Sequence, residues 1–203
     1  MSSQSQEFLD LLLDYSREDM EKKRAGIEKR LWDKYGAEIT VAVVDMSGFT
    51  RLAEAHGIVH YLSMVRRMQL TSKPIIESYG GRVVKFEADN AFASFSGPAE
   101  AVSACIALNH AMNAANLVTP DELDIFISCG IDHGKCLIPG PGDYFGNPVN
   151  RASKLGEDLA EPGDILVTEE AMKMAPKEMN IKTKPVKVML GGREVAVCSV
   201  VYT

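Results

Sequence analysis

The stretch ITVAVVDMSGFT, residues 39–50, holds the key to the rest of the chain. From Ile39 to Val44 it is β-branched apart from Ala42, with none of the polar alternation of a half-buried strand, so it reads as a central strand covered on both faces. The run stops at Asp45, and Ser47 and Gly48 then turn the chain into a helix. A carboxylate ending a buried strand is costly unless its charge is compensated. Three compensations are open: a metal ion, a basic partner, or the N-terminus of the helix that follows.

Outward from this strand the pattern is a mixed one. On the N-terminal side, Phe8, Leu12 and Tyr15, then Ile27, Leu31 and Tyr35, recur at helical spacing around a mixed-charge stretch, REDMEKKR. One long helix or two short ones both fit, either packing on their own domain or pairing two chains. On the C-terminal side a helical segment is expected from Thr50 to about Tyr79, interrupted near Gly57 and ended by Gly80 and Gly81. RVVKFEADNAFASF (82–95) reads as a hairpin with its tip at Asp89 and Asn90. A helix should follow from Pro98 to about Ala115. DIFISCGIDHGKCLIPG (124–140) reads as a strand pair bent around Gly130 and Gly134. A helix from about Gly146 to Leu159, a short strand and helix in ILVTEEAMKMA, and a terminal hairpin from Lys182 to Tyr202 complete the order. It predicts an α+β fold with a βαββαβ core, helices on one side of the sheet, an extra C-terminal hairpin and an N-terminal helical arm. The expected division is an arm over 1–37 and a folded domain over 38–203.

Composition narrows the function classes. The 203 residues are 46% hydrophobic and 25% charged, which is ordinary for a globular protein. A formal charge of −6 argues against a general nucleic-acid binder, so any phosphate chemistry must be local. No apolar run approaches the roughly 18–20 residues of a membrane span, and MSSQSQ lacks the charged and apolar regions of a signal peptide, so the expected address is the cytoplasm. Cys105, Cys129, Cys136 and Cys198 are far apart and mostly inside apolar runs, which reads as buried reduced thiols.

Three constellations carry candidate chemistry. Asp45 and Asp89 end or interrupt apolar strands that a βαββαβ plan sets side by side. Their carboxylates would suit Mg²⁺ or Mn²⁺, whereas a helix cap and a turn residue are the plainer account of each alone. The turn MSGFT supplies consecutive backbone N–H groups at a helix start, a possible polyphosphate cradle, although it is not a P-loop. In GDYFGNPVNRASKLGEDLAEPGD (142–164), Asn150 and Lys154 are four apart and share a helix face downstream of Asp143. An amide beside an ammonium could orient a sugar and neutralise a phosphate; a capped surface helix explains them equally well.

Taken together and in order, VVDMSGFT, VVKFEADNAFASF, CGIDHGKC, DYFGNPVNRASKL and EPGDILVT resemble the catalytic domain of the class III adenylyl and guanylyl cyclases, over about Ile39 to Val201. The resemblance implies a ferredoxin-like core of the nucleotidyl cyclase type and conversion of ATP to 3′,5′-cyclic AMP and pyrophosphate. It implies two divalent ions, Mg²⁺ or Mn²⁺, held by Asp45, Asp89 and the Met46 carbonyl. It also implies that the amides of Met46, Ser47, Gly48, Phe49 and Thr50 contact the β- and γ-phosphates, with Lys135 as an assisting cation. Lys85 and Asp143 match the positions that choose the base. An ammonium donating to adenine N1 and a carboxylate accepting from the N6 amino group favour ATP, since guanine presents the opposite polarity. Asn150 matches the asparagine that orients the ribose.

Two departures stand out. The family pattern N-x-A-x-R reads NRASK here, so Lys154 replaces the arginine that stabilises the transition state, keeping the charge but losing the planar fork. A second basic position aligns with Leu190, with Arg193 nearby. Slower turnover follows, and a silent nucleotide-binding regulatory module or a cyclase of GTP or a pyrimidine nucleotide stay open as alternatives. Family sites are composite between antiparallel protomers. Because one sequence carries both halves, a homodimer is implied. The short arm contains no recognisable sensor, which leaves any regulatory partner unidentified.

Overall fold

Hydrophobic residues without alternation do form the middle of a sheet. The computed structural model describes residues 3–176, 179–190 and 192–202; the side chains of Phe49, Thr50, Leu190 and Arg193 lie outside the described part. Strand β1 (Gly36–Met46) has β3 (Asn90–Phe95) on one side and β4 (Ile127–Gly140) on the other, both antiparallel. With β2 (Arg82–Glu87) beyond β3, the four strands lie in the order β2-β3-β1-β4. The helices between them, α3 (Phe49–His56) and α4 (Ile58–Ser78) before β2 and α5 (Pro98–Asn116) after β3, complete a ferredoxin-like βαββαβ unit. Strand β6 (Ile165–Thr168) adds parallel to β4, and the terminal hairpin β7 (Lys182–Leu190) and β8 (Arg193–Val201) extends the sheet through β8. A short strand β5 (Asp143–Phe145) folds back on β4.

Three expectations need correcting. Helices cover both sides of the sheet rather than one, because residues 147–159 pack against Gly130 and the Val43 carbonyl on the face opposite α4 and α5. Residues 127–140 form one strand of 14 residues rather than a bent pair, in unbroken register with β1 from Gly36 opposite Leu137 to Met46 opposite Ile127. Gly130 is there for contact, not for a bend: a Cβ at that position would lie 2.0 Å from the Ala152 carbonyl oxygen. The helix expected over 146–159 is α6 (Asn147–Ser153) continuing into a π-helical segment, Lys154–Leu159. Elsewhere the structure resolves what was open. The helical interruption is real, with Gly57 at φ 85° between α3 and α4, and the N-terminal helices are two, α1 (Ser3–Arg17) and α2 (Glu21–Tyr35).

Because strand side chains alternate, the two faces of β1 are distinct. Ala42, Val44 and Met46 join the main core under α4 and α5, with Met64, Met68 and Leu108. Val41 and Val43 face the other way, into a smaller cluster with Phe92, Cys136, Tyr144 and Ala152 beneath α6 and β5. Asp45 follows Val43 on that second face. Phe8, Leu11, Leu31 and Tyr35 form a separate cluster that joins α1 to α2 and reaches Leu137 on β4. All four cysteines are free and buried. Among the described residues no helix is long and apolar enough to cross a membrane.

Candidate functional site

Sheet register brings the acids together. Asp45, the penultimate residue of β1, is opposite Asn90, and Asp89 is the turn residue just before it. Burial first, then the Asp89 carboxylate and Glu157, push Asp45 up to about 7. The buried phenol of Tyr61 is also raised, by burial and then by Asp89 and Asp45 beside it. A half-buried carboxylate whose proton affinity is raised by burial and by a second carboxylate beside it is one that a hard cation would relieve. Among the described residues no three His, Cys, Asp or Glu side chains group to hold a metal. The donor set therefore fits an ion that takes two carboxylates and fills its remaining positions with a carbonyl, water or phosphate oxygens.

Next to this pair the chain enters α3 through Gly48, which adopts φ 91° and gives the helix no side-chain cap. The first amides of a helix have no partner within it, so this N-terminus presents donors to an anion. Ser47 is not one of them, because its amide donates to the Phe126 carbonyl at 2.9 Å. A phosphate cradle here rests on the amides that follow it.

A second group assembles on the same face from β2 and β5. Lys85 Nζ lies 3.6 Å from Asp143 Oδ1 and 2.9 Å from Glu87, and it stands 5.1 Å from the centre of the Phe92 ring. Tyr144, buried beside Asp143, anchors β5: its amide donates to Asp143 Oδ1 at 3.0 Å and its hydroxyl to the Ala93 carbonyl at 3.4 Å. Lys85 and Asp143, remote in sequence, thus meet with their polar ends half exposed.

Asn150 is exposed on α6, and Lys154 is exposed where the π segment begins. Lys154 Nζ is held by Asp158 at 2.9 Å, an ion pair that raises its proton affinity. The other cation on this helix faces inward: Arg151 Nε donates to Asp132 Oδ2 at 2.5 Å. The helix is pressed onto the sheet. A Cβ on Gly156 would lie 2.9 Å from the Gly130 nitrogen and 3.0 Å from the Val43 carbonyl, and Ser128 Oγ donates to the Gly156 carbonyl at 2.9 Å. Lys135 lies apart from the acids. It pairs with Glu38 across β1 and β4, seven residues from Asp45, or roughly 23 Å along the strand. There it lines a cavity of about 450 Å³ with Trp32, Asp33 and Glu38.

The residues that sequence reasoning missed are Asp132, Arg151 and Thr168, a buried polar group under α6, and Tyr61 and Glu157 beside the acids. Asp132 interrupts an apolar run as Asp45 ends one, and that was the available signal.

Comparison with known proteins bears on the family and the fold. The candidate adenylate cyclase 3 of Rhizobium meliloti (strain 1021) is 29% identical over 129 residues, 64% of this chain and 22% of that protein. An uncharacterized Mycobacterium bovis protein is 29% identical over 136 residues, 67% of this chain and 34% of its own length. The match thus spans about a fifth to a third of these relatives. Among solved structures, the adenylyl cyclase CyaB of P. aeruginosa superposes with a TM-score of 0.69 at 25% identity, covering 83% of this chain and 95% of that one. An adenylate/guanylate cyclase/hydrolase of Silicibacter pomeroyi gives 0.68 at 26%, covering 82% and 98%. The adenylate and guanylate cyclase catalytic domain matches residues 33–201, and the chain belongs to that family.

Proposed function

We propose that this chain is an adenylyl cyclase that converts ATP to 3′,5′-cyclic AMP and pyrophosphate, at sites formed between two antiparallel copies. The observation that carries the reading is the meeting of Lys85 with Asp143 at 3.6 Å on an open sheet face. An ammonium and a carboxylate side by side match the acceptor and donor edge of adenine and mismatch that of guanine. The catalytic unit expected over 38–203 extends back to the start of β1 at Gly36, with α1 and α2 as the helical arm.

In this reading Asp45, Asp89 and the Met46 carbonyl would hold two divalent ions, Mg²⁺ or Mn²⁺. When bound, such ions lower the pKa of the 3′-hydroxyl and neutralise the triphosphate. The chain's own groups do the rest. Uncapped amides at the start of α3, from Gly48 through Phe49 and Thr50, receive the terminal phosphates. Asn150 orients the ribose so that its 3′-oxygen lies in line with the α-phosphorus, and Lys154 meets the charge that develops on the α-phosphate. Lys135 serves the triphosphate only if the partner copy brings it there, since in its own chain it lies at the far end of β1.

A silent regulatory module is the second reading, and the Lys154–Asp158 ion pair favours it because it turns the ammonium toward a carboxylate of its own chain. Purified protein incubated with ATP and Mn²⁺ distinguishes the two, with cyclic AMP as the readout. Absence of product from a folded dimer at high concentration rejects the enzyme. Competing the four nucleotides ranks the bases, and Lys85→Glu should cut ATP turnover by roughly 10- to 100-fold.

A further inference from the structure

Asp132 lies in the middle of β4 with no solvent exposure, yet its two oxygens are both used. Oδ2 accepts from Arg151 Nε and Oδ1 accepts from Thr168 Oγ1, each at 2.5 Å. Thr168 in turn accepts the Ala171 amide at 3.3 Å and so caps α7 (Glu169–Met172). Burial raises the acid, and Thr168, the Arg151 charge and the His133 amide oppose that rise. One buried carboxylate thereby ties β4, the start of α7 and α6 together.

What it fixes on α6 follows from helical geometry. At about 100° per residue, Asn150 and Lys154 stand only about 40° apart around the axis, roughly 60–100° from Arg151. With Arg151 held at its Nε and Ala152 fully buried against Gly130, the helix can neither roll nor slide without breaking the ion pair. The π segment then begins at Lys154, so any roll of α6 passes directly to that side chain.

We propose that Asp132, acting through Arg151, is a positioning residue for turnover: the buried pair sets the roll of α6 that presents Asn150 and Lys154 to the nucleotide. This rests on the cyclase reading above, and its test separates the two. In the 203-residue chain, Arg151→Met should lower kcat per folded molecule by roughly 10- to 100-fold while KM for ATP changes by less than about threefold, because binding contacts on β2, β5 and α3 are untouched. Amide hydrogen exchange over residues 147–159 should quicken about tenfold or more, with β1 and β4 unchanged. Asp132→Asn, which still accepts from Arg151 and can donate to Thr168, should keep at least about a third of wild-type kcat. Unchanged kcat in Arg151→Met, or exchange that quickens evenly across the sheet, overturns the proposal. Should Arg151→Met not fold, Arg151→Lys takes its place, with an expected kcat loss of about 3- to 10-fold, and no loss overturns it. A wild-type protein without turnover rejects the cyclase reading instead, and the local exchange result alone then decides whether the buried pair sets the roll of α6.

Discussion

Asp45 and Asp132 both place a carboxylate in an apolar strand of the same sheet, yet they are handled in opposite ways. Asp132 has no exposure, and a guanidinium and a hydroxyl from its own chain occupy its oxygens. Asp45 is half-buried at a strand end, and burial first, then the charges of Asp89, Glu157 and Asp158, raise its proton affinity to about 7. An acid satisfied from within its fold supports structure. One with acids around it beside an uncapped helix start is one that a charge from outside would relieve, as the proposed function requires.

The largest effect expected from breaking this comparison is on turnover. Asp45→Ala should reduce cyclic AMP formation at least about 1,000-fold, since it removes one of two carboxylates that would hold the ions. Its thermal midpoint without added metal should stay the same or rise, because a repelled acid has gone. Parallel turnover and melting measurements check both; a variant that keeps its activity breaks the contrast at its more important end.

Asp132→Ala should do the reverse to stability, costing about 3 kcal/mol in urea unfolding, the low end for breaking a buried ion pair, because Arg151 is a third exposed and can turn toward water. A loss below about 1 kcal/mol would mean that the pair contributes nothing the fold needs.

These two acids also show what was legible from the sequence and what was not. The run from Ile39 to Val44 announces a buried central strand by composition alone, and the acid that ends it announces a site. Asp132 carries the same local signal, but its partners lie 19 and 36 residues further along the chain, so its compensation exists only after folding. The π segment is hidden for the same reason. Its register depends on Ser128 holding the Gly156 carbonyl and on two glycines in contact, none of which leaves a periodic mark. Gly130 reads as a breaker in sequence, whereas in the fold it is the gap into which α6 packs.

A smaller effect sharpens the contrast through pH. A carboxyl whose folded proton affinity is raised binds a proton in the native state that the unfolded chain has already released, so its contribution to stability is present at low pH and lost as pH rises. For Asp45 that window runs from about 4 to about 7. In EDTA the wild-type protein should therefore lose stability across this range, by about 1–2 kcal/mol once its partial exposure is allowed for. Asp45→Asn should flatten the slope, and Mn²⁺ should flatten it in the wild type. Unfolding midpoints measured at pH 4.5, 6 and 7.5 decide the matter, and an equal slope in Asp45→Asn would assign it to another group.

The smallest effect concerns how Asp89 is aimed. Ala88, the residue before it, has φ 50°, a left-handed conformation that costs an L-residue with a Cβ about 1–2 kcal/mol and costs glycine little. Glycine also gains freedom in the unfolded chain, which offsets part of the relief. The net expectation for Ala88→Gly is a gain of about 0.5–1 kcal/mol, or roughly 1–4 °C in the thermal midpoint. Because the hairpin on either side, β2 and β3, dictates the turn, relaxing this one angle should leave Asp89 beside Asp45 and turnover within about twofold. If stability instead falls, the turn is held by Ala88 itself; if turnover drops while stability rises, the strain at Ala88 is what keeps Asp89 turned toward Asp45.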